Sequence, residues 1–480
     1  MNTGVRAFVG LGHRAAVSQA PLADQADRAI HTARAAGGDT NHTCVGRVEC
    51  CRYGGNHSDA AAQRANSELQ RTGSKRTDIL EIRCRSLKVI KLAAHQFRQN
   101  SFLESADMSS YAYTPDNANT TAPVDDINPV VQIQPLGFPW PTVDPFLFCA
   151  YHDDAYPEGN STLGPNVSLA GRRLGNDFSR NDSWSMYHGT SVPGFPAHPH
   201  RGFETVTIVR KGLIDHADSL GASARFGSGD VQWLTAGSGV VHSEMFPLLK
   251  PDAPNPLELF QIWLNLPGRS KMVKPNFTMF WSQDIARLSS SDAQGRITEV
   301  AVVAGKLLAA DVQGTSAAFD APAPPPDSWA AKPGADVAIW TLCMAPGACW
   351  TLPAAQGAST RRHLYFFKGG SVSISGRAVH AHAAIELHAN HAVSLINTGD
   401  EVAEFLMLQG QPIGEPVVQH GPFVMNTQAE IAQTVAEYQS TQFVGWPWPD
   451  AAPVHGYDPK RFARYPDGRV ERPAQQLLKS

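Results

Sequence analysis

From about Ile127 onward the chain alternates short apolar runs with clusters of Gly, Pro, Asn and Asp. Thr205–Val209, Val231–Leu234 and Leu259–Leu264 read as strands, separated by turn signals at Asp218–Gly221 and Gly227–Asp230. The same texture returns at Val337–Leu342, His363–Phe367, Ser371–Ile374, Val393–Ile396 and Glu404–Leu408. Short strands at this spacing predict a sandwich or small barrel, repeated twice, rather than βαβ units. A linker-like stretch, Ala321-Pro322-Ala323-Pro324-Pro325-Pro326, lies between the two units and cannot sit inside a sheet. One helix is predicted from Gln428 to Tyr438. Thr427 and Glu430 make its capping box, and Ile431, Val435 and Tyr438 its apolar stripe. The tail from Pro447 to Ser480 is rich in Pro, Arg and Asp and is expected to wrap a surface without a core of its own.

The first 107 residues have a different pattern. Only Thr77–Phe97 resembles a helix, with Ile79, Leu80, Ile82, Leu87, Val89, Ile90 and Leu92 fitting a stripe loosely. Composition sharpens the break. Residues 1–107 carry a net charge of +5 and residues 108–480 a net of −9, within an overall −4. The first segment also holds four of the seven Cys, none of the ten Trp and one of the 35 Pro. Three readings stay open for it: a disordered extension, translated sequence upstream of a start at Met108, or a small basic domain for nucleic acid. Cys44, Cys50, Cys51 and His57 lack a C-x-x-C pair, which argues against zinc there. The acidic remainder speaks against direct DNA binding. No run of about 18 apolar residues exists, and the N-terminus lacks a compact apolar core of the signal-peptide kind. Seven irregularly spaced cysteines point to a reducing, cytoplasmic setting.

The densest chemical signal is His198-Pro199-His200, followed by His242-Ser243-Glu244. Residues two apart share one face of a strand, so each pair can point together. If the two strands face one another across a small barrel, four ligands converge. His-Pro-His alone is a weak cue, since single histidines are usually surface or core residues. The repeated spacing strengthens it, as do the glycines around each pair: Gly194, Gly202 and Gly212, then Gly227, Gly229, Gly237 and Gly239. Three neutral imidazoles and one carboxylate suit Fe(II), Mn(II), Ni(II) or Cu(II), whereas structural zinc sites usually have thiolates. On an octahedral ion such a set leaves two adjacent positions open. No serine elbow or phosphate loop is present.

At these residues a resemblance emerges. Gly194 to Val206 (GFPAHPHRGFETV), Gly229 to Gly237 (GDVQWLTAG), Val240 to Met245, Leu259 to Pro267, Lys271-Met272 and the segment Gly410 to Thr427 resemble the signatures of the pirin family of bicupins. The resemblance spans about residues 130–445. It implies an all-β fold of two tandem cupin barrels (double-stranded β-helix, or jelly-roll). The metal-bearing barrel would cover 108–289 and a metal-free one 290–445, with a tail at 446–480. It implies one iron, Fe(2+) first among Mn, Ni, Co and Cu, held by His198, His200, His242 and Glu244. Glu204 stands where ordinary cupins have their metal glutamate. Here it is expected to stand behind the ligands, orienting an imidazole or pairing with Arg201, or to form a plain structural salt bridge. In the second barrel the corresponding position is Arg361-Arg362-His363, so His380, His382, His388 and His391 are not expected to form a second metal site. Cys149, Cys343 and Cys349 read as buried and inert, and Trp446-Pro447-Trp448-Pro449 as a packing clamp.

Two functions follow from the resemblance. One is a dioxygenase that opens quercetin-type flavonols with O₂ and releases carbon monoxide, Glu244 taking the substrate's proton. The other is a redox-sensing regulator whose iron state alters the surface offered to a protein partner. A monomer is expected in either case.

Overall fold

The computed structural model describes residues 128–310, 316–380 and 382–473. The Thr77–Phe97 helix, the three readings of the N-terminal segment and the cysteine group at 44–57 fall outside them. The first ten strands are β1 (Val130–Pro135), β2 (Phe146–Asp154), β3 (Gly194–His200), β4 (Phe203–Lys211), β5 (Leu213–Asp218), β6 (Ser223–Gly227), β7 (Val231–Thr235), β8 (Val240–Met245), β9 (Leu257–Asn265) and β10 (Asn276–Phe280).

Two sheets form the first barrel. One runs β10-β7-β4-β9-β2, and the other contains β6-β5-β8-β3 with β3 at its edge. Alternation decides which side chains enter. Val209, Ile214, Leu234, Leu257, Leu259 and Phe277 fill the interior. Their neighbours Val206, Ile208, Phe260 and Ile262 point the other way, into a cluster shared with Ile339, Tyr365, Phe367 and Leu406 of the second barrel. That shared cluster joins the barrels through the backs of two sheets. The second barrel has a seven-stranded sheet and a four-stranded sheet around Trp340, Leu342, Leu364, Phe366, Ile385 and Phe405.

Six of the eight strands expected from the apolar runs lie within observed ones, which extend them by one or two residues at an end, while Val337 and Ser371 fall one residue before theirs. Three features depart from the linear reading. First, β1 pairs with Ala383–His388, so a strand that precedes the first barrel extends the sheet of the second. Second, Ala286–Ser291 and Ile297–Ala304 also belong to the second barrel's sheet, next to Ala338–Met344. The proline run at 321–326 is therefore a long connection within that sheet rather than a link between barrels. Third, the tail contributes a strand. Phe462–Arg464 pairs with β6, and Ala463 and Tyr465 enter the first barrel's core.

Helix α1 spans Gln428–Thr441, three residues beyond its expected end. Thr427 accepts from the Glu430 N–H while the Glu430 carboxylate reaches back to the Thr427 N–H at 2.8 Å. Its Ile431 packs with Phe423, Phe443 and Val241, the last of which adjoins His242. Gly202 allows this approach. Its φ is +86°, and a Cβ there would lie 1.9 Å from the Val424 carbonyl oxygen.

Candidate metal centre

Strands β3 and β8 pair antiparallel with His198 opposite His242. A register shift between Phe195 and His198 re-aims the end of β3, as bulges do. Pro196 and Pro199 are tolerated because β3 is the edge strand of its sheet. The result is a triad. One ring nitrogen from each of His198, His200 and His242 lies within 4.8 Å of the others. The ring centroids are 4.4, 4.8 and 4.9 Å apart.

Burial removes water from these rings. It pushes the His198 imidazole down to about 4, and it holds His200 and His242 well below their ordinary range, the neighbouring imidazoles adding to the effect. All three are therefore neutral near pH 7, the form that binds metals. His198 Nδ1 is fixed 2.9 Å from the Pro196 carbonyl, which leaves Nε2 for the centre. Nδ1 of His200 and both ring nitrogens of His242 are sealed from solvent without a hydrogen-bond partner in the described chain. A neutral imidazole has one bare lone pair, and a cation at the meeting point of the three rings would take one from each, so the donor set fits a metal ion.

Glu244 lies beside the triad, outside its 4.8 Å cluster. Its Oε2 is 4.0 Å from His242 Nε2. The carboxylate is gripped by Gln261 Nε2, which donates at 2.9 Å to Oε2 and 3.2 Å to Oε1. Thr207 Oγ1 lies 3.2 Å from Glu244 Oε1 and 3.0 Å from Gln261 Oε1, so its single proton serves one of them at a time. Burial raises the Glu244 carboxyl above its ordinary value, and the His216 and Gln261 contacts oppose that rise.

Beside the triad stands an aromatic wall. Trp263 packs on His200 at 5.5 Å, on Phe203 at 4.4 Å and on Phe148 at 4.9 Å, while Phe195 lies 6.3 Å from His198. Phe148, Phe195, His198, Gln261 and Trp263 are all partly exposed, so the opening lies between the edge strands β2 and β3.

Two expected neighbours do other work. Glu204 bonds neither an imidazole nor Arg201. Its carboxyl accepts from Thr235 Oγ1 at 2.6 Å and Ser328 Oγ at 2.5 Å. Strand phase explains this, because Phe203, Thr205 and Thr207 face the interior and Glu204 points to the outer face with Val206. Burial pushes Glu204 up to about 7. Arg201 instead binds Glu437 at 2.6 Å and the Ser238 carbonyl at 2.8 Å, with its guanidinium 4.3 Å from the Phe443 ring centroid. It ties the turn after His200 to α1.

His216 was not anticipated. It lies opposite Glu244 on β5, 5.5 Å from the His242 ring, stacked on Phe277, with Nε2 3.2 Å from Asp218 Oδ2. The period-2 pair His216-x-Asp218 was the available signal, hidden because Asp218 also opens a turn. In the second barrel Arg362 points inward with Leu364 and Phe366 and donates to Gln409 Oε1 and the Pro353 carbonyl. His382 packs edge-on to Phe366, and His388 lies 6.1 Å from His391. Cys149 is buried as expected, but Cys343 is half-buried and Cys349 exposed, since odd positions of its short strand face outward. Trp446 donates to the Asp450 carbonyl within the tail, and Trp448 donates to the Asp218 carbonyl, holding the tail against the first barrel.

Two cupin barrels, the first with a histidine-rich centre, define a bicupin. The chain belongs to the pirin family. The family model described as Pirin matches residues 137–264, and that of the Pirin C-terminal cupin domain matches 339–444. A pirin-like protein of Solanum lycopersicum is 33% identical over 246 residues, covering 51% of this chain and 75% of that protein. A Pseudomonas aeruginosa protein, provisionally named a quercetin 2,3-dioxygenase, is 32% identical over 260 residues, covering 52% and 79%. Among solved structures, a quercetin 2,3-dioxygenase from Acinetobacter baumannii is 28% identical with a TM-score of 0.46, over 62% of this chain and 86% of that one.

Proposed function

We propose that this chain is a metal-dependent dioxygenase of flavonol-type aromatic substrates, with Fe(II) held by His198, His200, His242 and Glu244. The observation that carries the reading is the convergence of three neutral imidazoles beside a partly exposed aromatic wall. The provisional name of the Pseudomonas relative supports the same chemistry. Mn, Ni, Co or Cu would satisfy the same donors.

When bound, the ion supplies a Lewis acid that lowers the pKa of a chelating hydroxyl. The protein does the rest. Phe148, Trp263 and Phe195 present apolar faces against which a flat aromatic packs, positioning it and excluding water. Glu244 accepts the proton of the substrate's chelating hydroxyl, and burial, by raising its carboxyl, makes it a better base. Gln261 and Thr207 keep the carboxylate from swinging away. In the overall reaction both atoms of O₂ enter the ring-opened product and one ring carbon leaves as carbon monoxide.

The test is aerobic incubation of protein loaded separately with Fe, Mn, Ni, Co or Cu with quercetin, following the flavonol absorbance. Loss with at least one metal is expected, and no loss with any would refute the reading.

A further inference from the structure

A second histidine system lies beside Phe195. On β2, Phe148 faces Trp263, Ala150 faces Gln261 and His152 faces Leu259. Cross-strand partners share a face of the sheet. Leu259 fills the barrel interior and Gln261 grips Glu244, so His152 points to the same interior, one pleat from the level of Glu244. Its ring is 6.2 Å from Phe195, and the same phenyl ring lies 6.3 Å from His198. The two imidazoles thus share one phenyl neighbour in the wall of the opening.

His152 is held by a directed chain. Its Nδ1 lies 2.8 Å from Tyr187 Oη, and Tyr187 Oη lies 2.8 Å from Asp154 Oδ2. Asp154 Oδ1 accepts from the Ser185 N–H at 3.1 Å. A phenol has one proton, and the carboxylate, an acceptor only, takes it. The Tyr187 oxygen must then accept from His152, which places the imidazole proton on Nδ1 and leaves Nε2 with a bare lone pair. Burial holds this imidazole neutral, pushing it down to about 4. Asp154, Tyr187 and His152 are 0%, 4% and 6% exposed. Nε2 takes no bond from the described residues and retains contact with solvent. A ring kept only for packing would need neither the carboxylate nor the phenol behind it. Burying three polar side chains to fix one tautomer is repaid where the free nitrogen has a partner.

We propose that His152 Nε2 accepts a hydrogen bond from a substrate hydroxyl other than the one that reaches the metal centre, making His152 a specificity-determining residue. Tyr187 and Asp154 are positioning residues that aim the acceptor. The inference rests on the oxygenase reading and adds to it a preference for polyhydroxylated aromatics over those bearing the chelating hydroxyl alone.

The test compares quercetin with 3-hydroxyflavone, which has only the chelating hydroxyl, on metal-loaded wild type, His152→Phe, His152→Gln and Tyr187→Phe. Binding is read by flavonol fluorescence on the metal-free proteins and turnover by steady-state kinetics. His152→Phe is expected to raise KM and Kd for quercetin about tenfold, the worth of one hydrogen bond, with kcat within about twofold. Values for 3-hydroxyflavone stay unchanged. His152→Gln, which retains an acceptor, recovers part of the loss, and Tyr187→Phe shifts in the same direction as His152→Phe. Should His152→Phe fail to fold, the other two variants carry the comparison. An equal shift for both substrates, or for neither, overturns the role of His152 while leaving the oxygenase standing. A wild type that turns over neither flavonol overturns the oxygenase, and the His152 acceptor with it.

Discussion

Replacing Gln261 with Leu removes the side chain that fixes Glu244, the proposed fourth ligand of the centre. Gln261 Nε2 supplies both of its bonds to Glu244, at 2.9 and 3.2 Å, and Thr207 alone remains at 3.2 Å. Bonds to charged acceptors contribute about 1.5–3 kcal/mol each. Gln261 is partly exposed and water can replace part of its role, so the low end of that range applies. Loss of an outer partner of a metal ligand generally costs about 10–100-fold in affinity or activity. The expected outcome is a metal dissociation constant raised by about tenfold. The metal-free protein should melt within a few degrees of wild type, because leucine fits the apolar neighbourhood of Leu259 and Trp263. Chelator competition measures the affinity, and a double-mutant cycle with Glu244→Gln supplies the decisive comparison. If Gln261 acts through Glu244, the second substitution adds little once the first is present. Unchanged affinity, or fully additive losses, would refute the reasoning.

Other substitutions test separate parts of the account. Glu244→Gln should retain measurable metal by elemental analysis yet lose most quercetin turnover; turnover close to wild type would remove the proton-accepting role. Glu204→Gln should stabilise the protein increasingly as pH rises. The folded carboxyl sits at about 7 against an ordinary 4.5, so the folded state holds more protons than the unfolded one between those values. Its stabilising contribution is full below about 4.5 and lost as pH rises through 7. At about 1.4 kcal/mol per unit, the variant should gain roughly 3 kcal/mol over wild type by about pH 8 and little near pH 5, read as melting temperature. Asp215→Ala strands the fully buried Arg225, whose Nε and Nη2 donate to it at 2.7 and 2.6 Å. It should cost about 3–5 kcal/mol and loosen the tail, which bonds the same carboxylate through the His455 N–H. Denaturant melts check the first effect and limited proteolysis after residue 447 the second.

Much of the architecture could be read from the chain because β structure writes itself in period two. His198, His200 and His242 needed only alternation and a facing pair of strands to meet, and they do meet, with a Glu244 oxygen 4.0 Å from His242 Nε2. The capped helix at 428–441 was equally legible, since its signals are local. What escaped depends on register or on distant pairing. Gln261 and Thr207 touch Glu244 from two strands of the opposite sheet, a relation no local pattern encodes. The proline run resembled a link between units because nothing nearby reveals that Ile297–Ala304 and Ala338–Met344 pair across it. The tail strand at Phe462–Arg464 is three residues long and takes its order from β6. Glu204 is the instructive case. Counting phase from Thr205 and Thr207 already turns it away from the histidines, but the familiar cupin role drew attention to its identity instead of its parity. His152, Tyr187 and Asp154 combine a strand with a residue from the long connection before β3, and only the fold brings them together.

The central claim is most directly tested by supplying isotopically labelled O₂ to the metal-loaded protein with quercetin and analysing the products by mass spectrometry. The account predicts two labelled oxygen atoms in the ring-opened acid, one carbon monoxide released per flavonol consumed, and loss of both in His242→Ala. Absence of label from any product, with every one of the five metals, would contradict it.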